Sequence, residues 1–170
     1  NILEILQEYR ELTKLKTYSH SYVGGNLPTN YQDLRDTRLR EYGNLTNVSN
    51  QKIFGMLHGF IDLIFEYEGK FYVADYKSNY LGDTLEDYNQ QAMQEKNQSS
   101  FYDLQYLIYS VALDKYLRQN IESYNYEKHF GGVYYFYLRG MKDGYGVYRA
   151  RPNLEIINKL ASLFNGDDNV

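Results

Sequence analysis

At 170 residues, of which 43% are hydrophobic, the chain has the length of one domain and enough apolar material for a core, which excludes a wholly disordered polypeptide. It has no Cys and three scattered His, which rules out a disulfide scaffold, thiolate-bound zinc or iron–sulfur sites, and an all-histidine zinc site. No apolar run of about 18 residues and no secretory signal pattern appear, so a cytoplasmic protein without a membrane span is expected, and the net charge of −4 argues mildly against a nucleic-acid partner.

In chain order, residues 2–16 place Ile2, Ile5, Leu6, Tyr9 and Leu12 on one helical stripe. Residues 17–50 are polar and interrupted by Gly24, Gly25 and Pro28; they read as an irregular, solvated connection with a short helix around Asp33–Tyr42. Two β-rich runs, 53–67 and 70–78, flank a tight turn. Residues 84–96 predict a helix, 97–100 a polar break, and 101–119 a second, strongly apolar helix. Residues 129–140 predict a buried strand with Tyr134, Tyr135 and Tyr137 in the core, and 145–150 a partner strand. Pro152 precedes a closing helix over 153–164, with Leu154, Ile157, Leu160, Ala161 and Phe164 on one face. Strands mixed with long helices predict an α/β fold, as a single domain over 1–170 in which 1–52 form a helix and arm and 53–164 the core.

The chemistry concentrates in the hairpin. With Glu68-Gly69 as a two-residue loop, antiparallel pairing sets Asp62 opposite Asp75. Alternation then puts Lys77 on the same face, beside the apolar Phe60, Ile64, Phe71 and Val73. Opposed carboxylates repel, and one ammonium neutralises only one of them. Two arrangements satisfy the pattern. A divalent cation of Mg²⁺ type bridges the acids, or the acids face solvent and Lys77 makes an ordinary ion pair.

An acid on one strand followed by a D-x-K tripeptide on the next resembles the PD-(D/E)xK nuclease superfamily. The blocks GFIDLIFEYEGKFYVADYKSNYLG (59–82), QQAM (90–93), YDLQYLIYSVAL (102–113) and HFGGVYYFYLRG (129–140) are similar, in order and spacing, to the C-terminal nuclease domain of the RecB family, the exonuclease V beta subunits. The resemblance implies a restriction-endonuclease-like fold, a central mixed sheet flanked by helices. It implies metal ligation by Asp62, Asp75 and the main-chain carbonyl of Tyr76, with Lys77 as catalytic lysine. Gln105 and Tyr109 match a Q-x-x-x-Y signature that positions the nucleic-acid backbone or the lysine; at i and i+4 they share a helix face. Mg²⁺ is the implied cofactor, with Mn²⁺ or Ca²⁺ able to occupy the site. The implied partners are DNA, a helicase domain, RecC- and RecD-type subunits and the RecA recombinase, in recombinational DNA repair. The acids beside Lys77 favour its charged form, so an electrostatic role is expected over that of a general base.

The family also has a metal-ligating histidine upstream, in a G-x-x-x-H context that this sequence lacks. His20, His58 and His129 do not match it, and Glu8 is the best placed of Glu4, Glu8 and Glu11 to substitute. No G-x-x-x-x-G-K-[ST] loop occurs, so no ATP hydrolysis is expected and the chain reads as a fragment or shortened relative. The alternative function is a catalytically incomplete module that docks DNA or protein. The charge is uneven: 83–103 hold five acids against one Lys, whereas Arg139, Lys142, Arg149 and Arg151 face Asp143 alone.

Overall fold

The computed structural model describes residues 1–20 and 59–165, with side chains described outside 14–20. The described residues 1–13 and 60–165 belong to one compact unit. The expected helix around Asp33–Tyr42, the strand residues 53–58 and His58 lie outside the described residues.

Helix α1 spans Ile2–His20, and its apolar stripe buries Leu6 and Tyr9, with Ile2, Ile5 and Leu12 packed beside them. Strands β1 (Leu63–Tyr67) and β2 (Lys70–Lys77) form the expected hairpin, paired from Leu63 with Ala74 to Tyr67 with Lys70. Glu68 and Gly69 have φ of 52° and 73°, so both turn residues are left-handed, as a type I′ turn requires. The mixed sheet continues with β3 (Phe130–Tyr137), parallel to β2, and β4 (Val147–Ala150), antiparallel to β3, in the order β1-β2-β3-β4. A register shift between Phe71 and Tyr72 sets Tyr72 against Gly132. Gly132 has φ of 125°, and a Cβ there would lie 2.6 Å from the Ala150 carbonyl oxygen, which explains the glycine.

The connection from β2 to β3 differs from the expected pair of helices. A 3₁₀ turn, Leu85–Tyr88, comes first, followed by α2 (Gln90–Ser99), α3 (Tyr102–Asn120) and the one-turn α4 (Tyr126–His129). The expected helix from 84 is interrupted because Asn89 is extended (ψ 170°) and its Oδ1 caps α2 by accepting from the Ala92 N–H at 2.9 Å. The polar residues at 97–99 continue α2, because Asn97 is buried and its Oδ1 accepts from the Tyr137 hydroxyl at 2.6 Å. A second 3₁₀ turn, Leu138–Gly140, ends the strand expected to reach 140. Helix α5 (Leu154–Asn165) is capped by Asn153 and buries Ile156, Ile157 and Leu160, while Phe164 stays exposed.

Alternation divides the sheet into two faces. Val73, Asp75 and Lys77 share one with Tyr135, Tyr137 and Tyr148, and all six are buried. Tyr134, expected in the core, lies on the other face. There it lines an open aromatic groove with Phe65, Tyr67, Tyr72, Phe136 and Arg149. Helix α3 is held against α1 by a buried pair: Arg10 Nη2 donates to Asp103 Oδ1 at 2.9 Å and to the Gln98 carbonyl at 2.9 Å, and Arg10 Nε donates to Asp103 Oδ2. Removing one partner of such a pair strands the other charge. Asp103→Ala should therefore lower the unfolding free energy by roughly 3–5 kcal/mol, read from urea denaturation.

Candidate active site

The candidate site forms where β2 ends beside α3. Asp75 and Lys77 are 5% and 7% exposed, and Lys77 Nζ lies 2.6 Å from Asp75 Oδ2. Asp62 sits in the bend just before β1, one residue beyond the last pair of the ladder, where its Oδ2 accepts from the Tyr76 N–H at 3.1 Å. The hairpin thus brings Asp62, Asp75 and Lys77 together. The surroundings are wetter than expected on the β1 side. Because β1 is the edge strand, Phe60 and Ile64 are 78% and 45% exposed and Asp62 is open to solvent. Only the β2 half, with Val73 at its centre, is an apolar setting.

Helix α3 supplies the remaining polar groups. Gln105 Oε1 accepts from Lys77 Nζ at 2.9 Å, and Gln105 Nε2 donates to the Tyr109 hydroxyl at 3.2 Å. That hydroxyl donates to the Phe60 carbonyl at 2.6 Å, tying α3 to the chain that leads into Asp62. Gln105 and Tyr109 thus share a face and form a connected line from Lys77 to the segment before β1.

Burial pushes the Asp75 carboxyl above its usual value of 3.8; the hydrogen bond and charge of Lys77 oppose the shift, and the charge of Asp62 adds to it. A raised carboxyl favours the protonated fold. Its stabilising contribution is full below pH 3.8 and declines as pH rises through the raised value, so at neutral pH the two acids are held together at a cost.

The donor set is all hard oxygen, as Mg²⁺ or a similar cation prefers. In a strand, one residue's N–H and C=O point to the same edge. Since the Tyr76 N–H faces Asp62, its carbonyl faces the same side, past the end of the β1 ladder. Asp62, Asp75 and the Tyr76 carbonyl therefore fit a divalent cation that keeps much of its water shell. Among the described residues, no group of three His, Cys, Asp or Glu side chains comes together. Glu8 instead accepts from Lys159 Nζ at 2.6 Å on α5. His129 accepts from the Asn125 N–H through Nδ1 at 2.9 Å and stacks on Tyr124, a structural role.

Two residues join the site that were not expected there: Tyr135, expected only as a core residue, and Tyr102. The rings of Tyr102 and Tyr135 lie 3.9 and 4.5 Å from Lys77 Nζ. Tyr102 stands three residues before Gln105 and so on its helix face, a signal present in the sequence. Tyr135 comes opposite Asp75 only through the parallel pairing of β2 with β3.

Comparison with known proteins gives the family. Residues 6–165 match the PD-(D/E)XK nuclease superfamily. The RecBCD enzyme subunit RecB of Escherichia coli (strain K12) is 44% identical over 138 residues, 77% of this chain and 12% of that protein. The RecB subunit of Haemophilus influenzae is 48% identical over 116 residues, 67% of this chain and 10% of the relative. That of Mycobacterium tuberculosis is 41% identical over 95 residues, 55% of this chain and 9% of the relative. The chain therefore spans about a tenth of the length of the curated relatives it matches.

The site's charge balance is testable without any metal. Asp62→Asn keeps an acceptor for the Tyr76 N–H but removes the like charge. It should bring the Asp75 carboxyl down toward its ordinary value in a ¹³C NMR titration, and stabilise the metal-free protein at pH 7 by roughly 0.2–1 kcal/mol.

Proposed function

The chain belongs to the PD-(D/E)XK nuclease superfamily, and from that premise we propose that it is the Mg²⁺-dependent exodeoxyribonuclease domain of a RecB-type helicase–nuclease subunit. The observation that carries the reading is the meeting of Asp62, Asp75 and Lys77 at one strand end, with Lys77 held by Gln105. Two carboxylates and a single ammonium leave a net negative site of hard oxygens, open to solvent on the Asp62 side and closed on the α3 side.

Asp62, Asp75 and the Tyr76 carbonyl would hold the cation. When bound, such an ion polarises a phosphate oxygen and makes water a better nucleophile at neutral pH. The chain's own groups do the rest. Lys77 places a fixed positive charge beside Asp75, where negative charge grows on the phosphate during hydrolysis. Gln105 orients that ammonium through its carbonyl oxygen. Tyr109, by holding the Phe60 carbonyl, sets the approach of the Asp62 segment. The exposed side of the site, over Phe60 and Ile64, is where a nucleic-acid strand reaches the acids.

The name shared by the relatives, RecBCD enzyme subunit RecB, supports assembly with RecC- and RecD-type subunits; a helicase portion, a DNA substrate and a cytoplasmic setting are part of the same proposal. A surface for the RecA recombinase belongs to the same reading. Among the described residues, no helix is long and apolar enough to cross a membrane. The docking-module alternative has less support, because the ion pair, its glutamine and both acids form one connected polar site.

The test is cleavage of end-labelled single-stranded DNA under a Mg²⁺ titration. Asp75→Ala should abolish cleavage while leaving the circular dichroism spectrum unchanged, and Lys77→Ala should lower turnover by about 10²–10³-fold, the range for loss of a group aimed at developing charge. Undiminished cleavage by folded Asp75→Ala protein would refute the assignment.

A further inference from the structure

The ammonium of Lys77 has more around it than its two polar partners. Tyr102 from α3 and Tyr135 from β3 present their rings at 3.9 and 4.5 Å, and the two rings meet edge to face with centroids 6.2 Å apart. The Tyr135 hydroxyl lies 2.8 Å from Gln105 Oε1 and 3.1 Å from the Tyr102 carbonyl, so its proton is shared between them. Tyr135 is fully buried, and burial keeps its phenol protonated and able to donate. The Tyr102 hydroxyl donates to Asn79 Oδ1 at 3.3 Å, just beyond the end of β2.

Each contact has a separate consequence. Cation–π attraction requires the ring face, and both faces are turned to the ammonium. The Tyr135 hydroxyl meets the very oxygen that accepts from Lys77. It therefore fixes the Gln105 amide with its carbonyl toward the ammonium and its NH₂ toward Tyr109. Turned the other way, the amide would present N–H groups to the ammonium and repel it. A lysine side chain has four rotatable bonds, and a salt bridge to one carboxylate oxygen leaves it free to swing about that oxygen. Two ring walls and an oriented amide remove that freedom.

We propose that Tyr102 and Tyr135 are positioning residues that form an aromatic cage for the Lys77 ammonium, holding it beside Asp75 in the geometry in which it meets the substrate phosphate. The proposal rests on the nuclease reading for what the held ammonium does, but the cage itself is a property of the metal-free chain. It predicts that the rings act on turnover and not on DNA affinity, since neither ring is placed against substrate. It also separates the two functions of Tyr135: a phenylalanine there keeps the wall and loses only the amide lock.

The experiment uses the full chain with ¹³C,¹⁵N-labelled lysine. Ring currents shift nuclei lying over an aromatic face upfield, so Lys77 should give an Hε signal upfield of the other lysines, assigned by its disappearance in Lys77→Arg. Tyr102→Leu should move that signal toward the other lysines and lower kcat by about 10–30-fold, the loss of one desolvated cation–π contact, with KM for DNA unchanged. Tyr135→Phe should keep the upfield signal and lose less activity than Tyr135→Leu. Tyr102 is only partly buried, so its variant carries the test if Tyr135→Leu fails to fold. A Lys77 signal among the other lysines in the unsubstituted protein, or Tyr102→Leu with unchanged kcat, would overturn the cage. An unsubstituted chain that cleaves no DNA while keeping the upfield signal would overturn the nuclease reading and leave the cage standing.

Discussion

The ion pair between Lys77 and Asp75 is the interaction on which the site depends. Taking a carboxylate and an ammonium out of water costs several kcal/mol for each, and their mutual attraction offsets this only where further groups complete their hydrogen bonding. The surrounding structure supplies those groups. Gln105 accepts from the ammonium, Tyr102 and Tyr135 face it with their rings, and Asp62 adds a second carboxylate on the solvent side. The result is a lysine fixed on its closed side and a pair of acids open on the other. That asymmetry is what a site for a solvated cation and an incoming phosphate requires.

The asymmetry comes from the order of the strands. In the sheet β1-β2-β3-β4, β2 is central and β1 lies at the edge. Asp75 and Lys77 are therefore covered by α3 and flanked by β3, while Asp62 at the start of the edge strand stays in water. Helix α3 is placed by its own buried charges: Arg10 and Asp103 clamp its first turn to α1. The helix that carries Tyr102, Gln105 and Tyr109 is thus held at the end nearest the lysine.

The charge distribution also gains a structural meaning. Of the acids between 83 and 103, Asp87 accepts from the Thr84 N–H and hydroxyl and so serves the fold, while the charge of Asp103 is compensated by Arg10. In the basic stretch that follows, Arg139 donates to the Ser78 carbonyl at 2.9 Å, immediately after Lys77. Positive charge therefore lies at the same end of β2 as the acids. Bulk charge is a poor guide to the partner of a site because it sums over groups that are paired, buried or distant from that site.

The hairpin was legible because a two-residue loop with Gly69 fixes the register, and the register alone determines that Asp62, Asp75 and Lys77 converge. The Gln105–Tyr109 face was legible for the same local reason, the helical repeat. Local periodicity could not show that 97–99 remain helical, since Asn97 finds its partner forty residues away in Tyr137. Alternation puts Tyr134 and Tyr135 on opposite sides of the sheet, but it could not show which side is covered. Which face receives the helices is set by the parallel pairing of β2 with β3, across a connection of more than fifty residues. The sequence by itself determined the acids, the lysine and their common face, because turn geometry and strand alternation act within a few residues. Only the tertiary structure decided which acid is buried, which tyrosines wall the lysine and which side meets water, because those follow from packing between segments that the chain brings together from far apart.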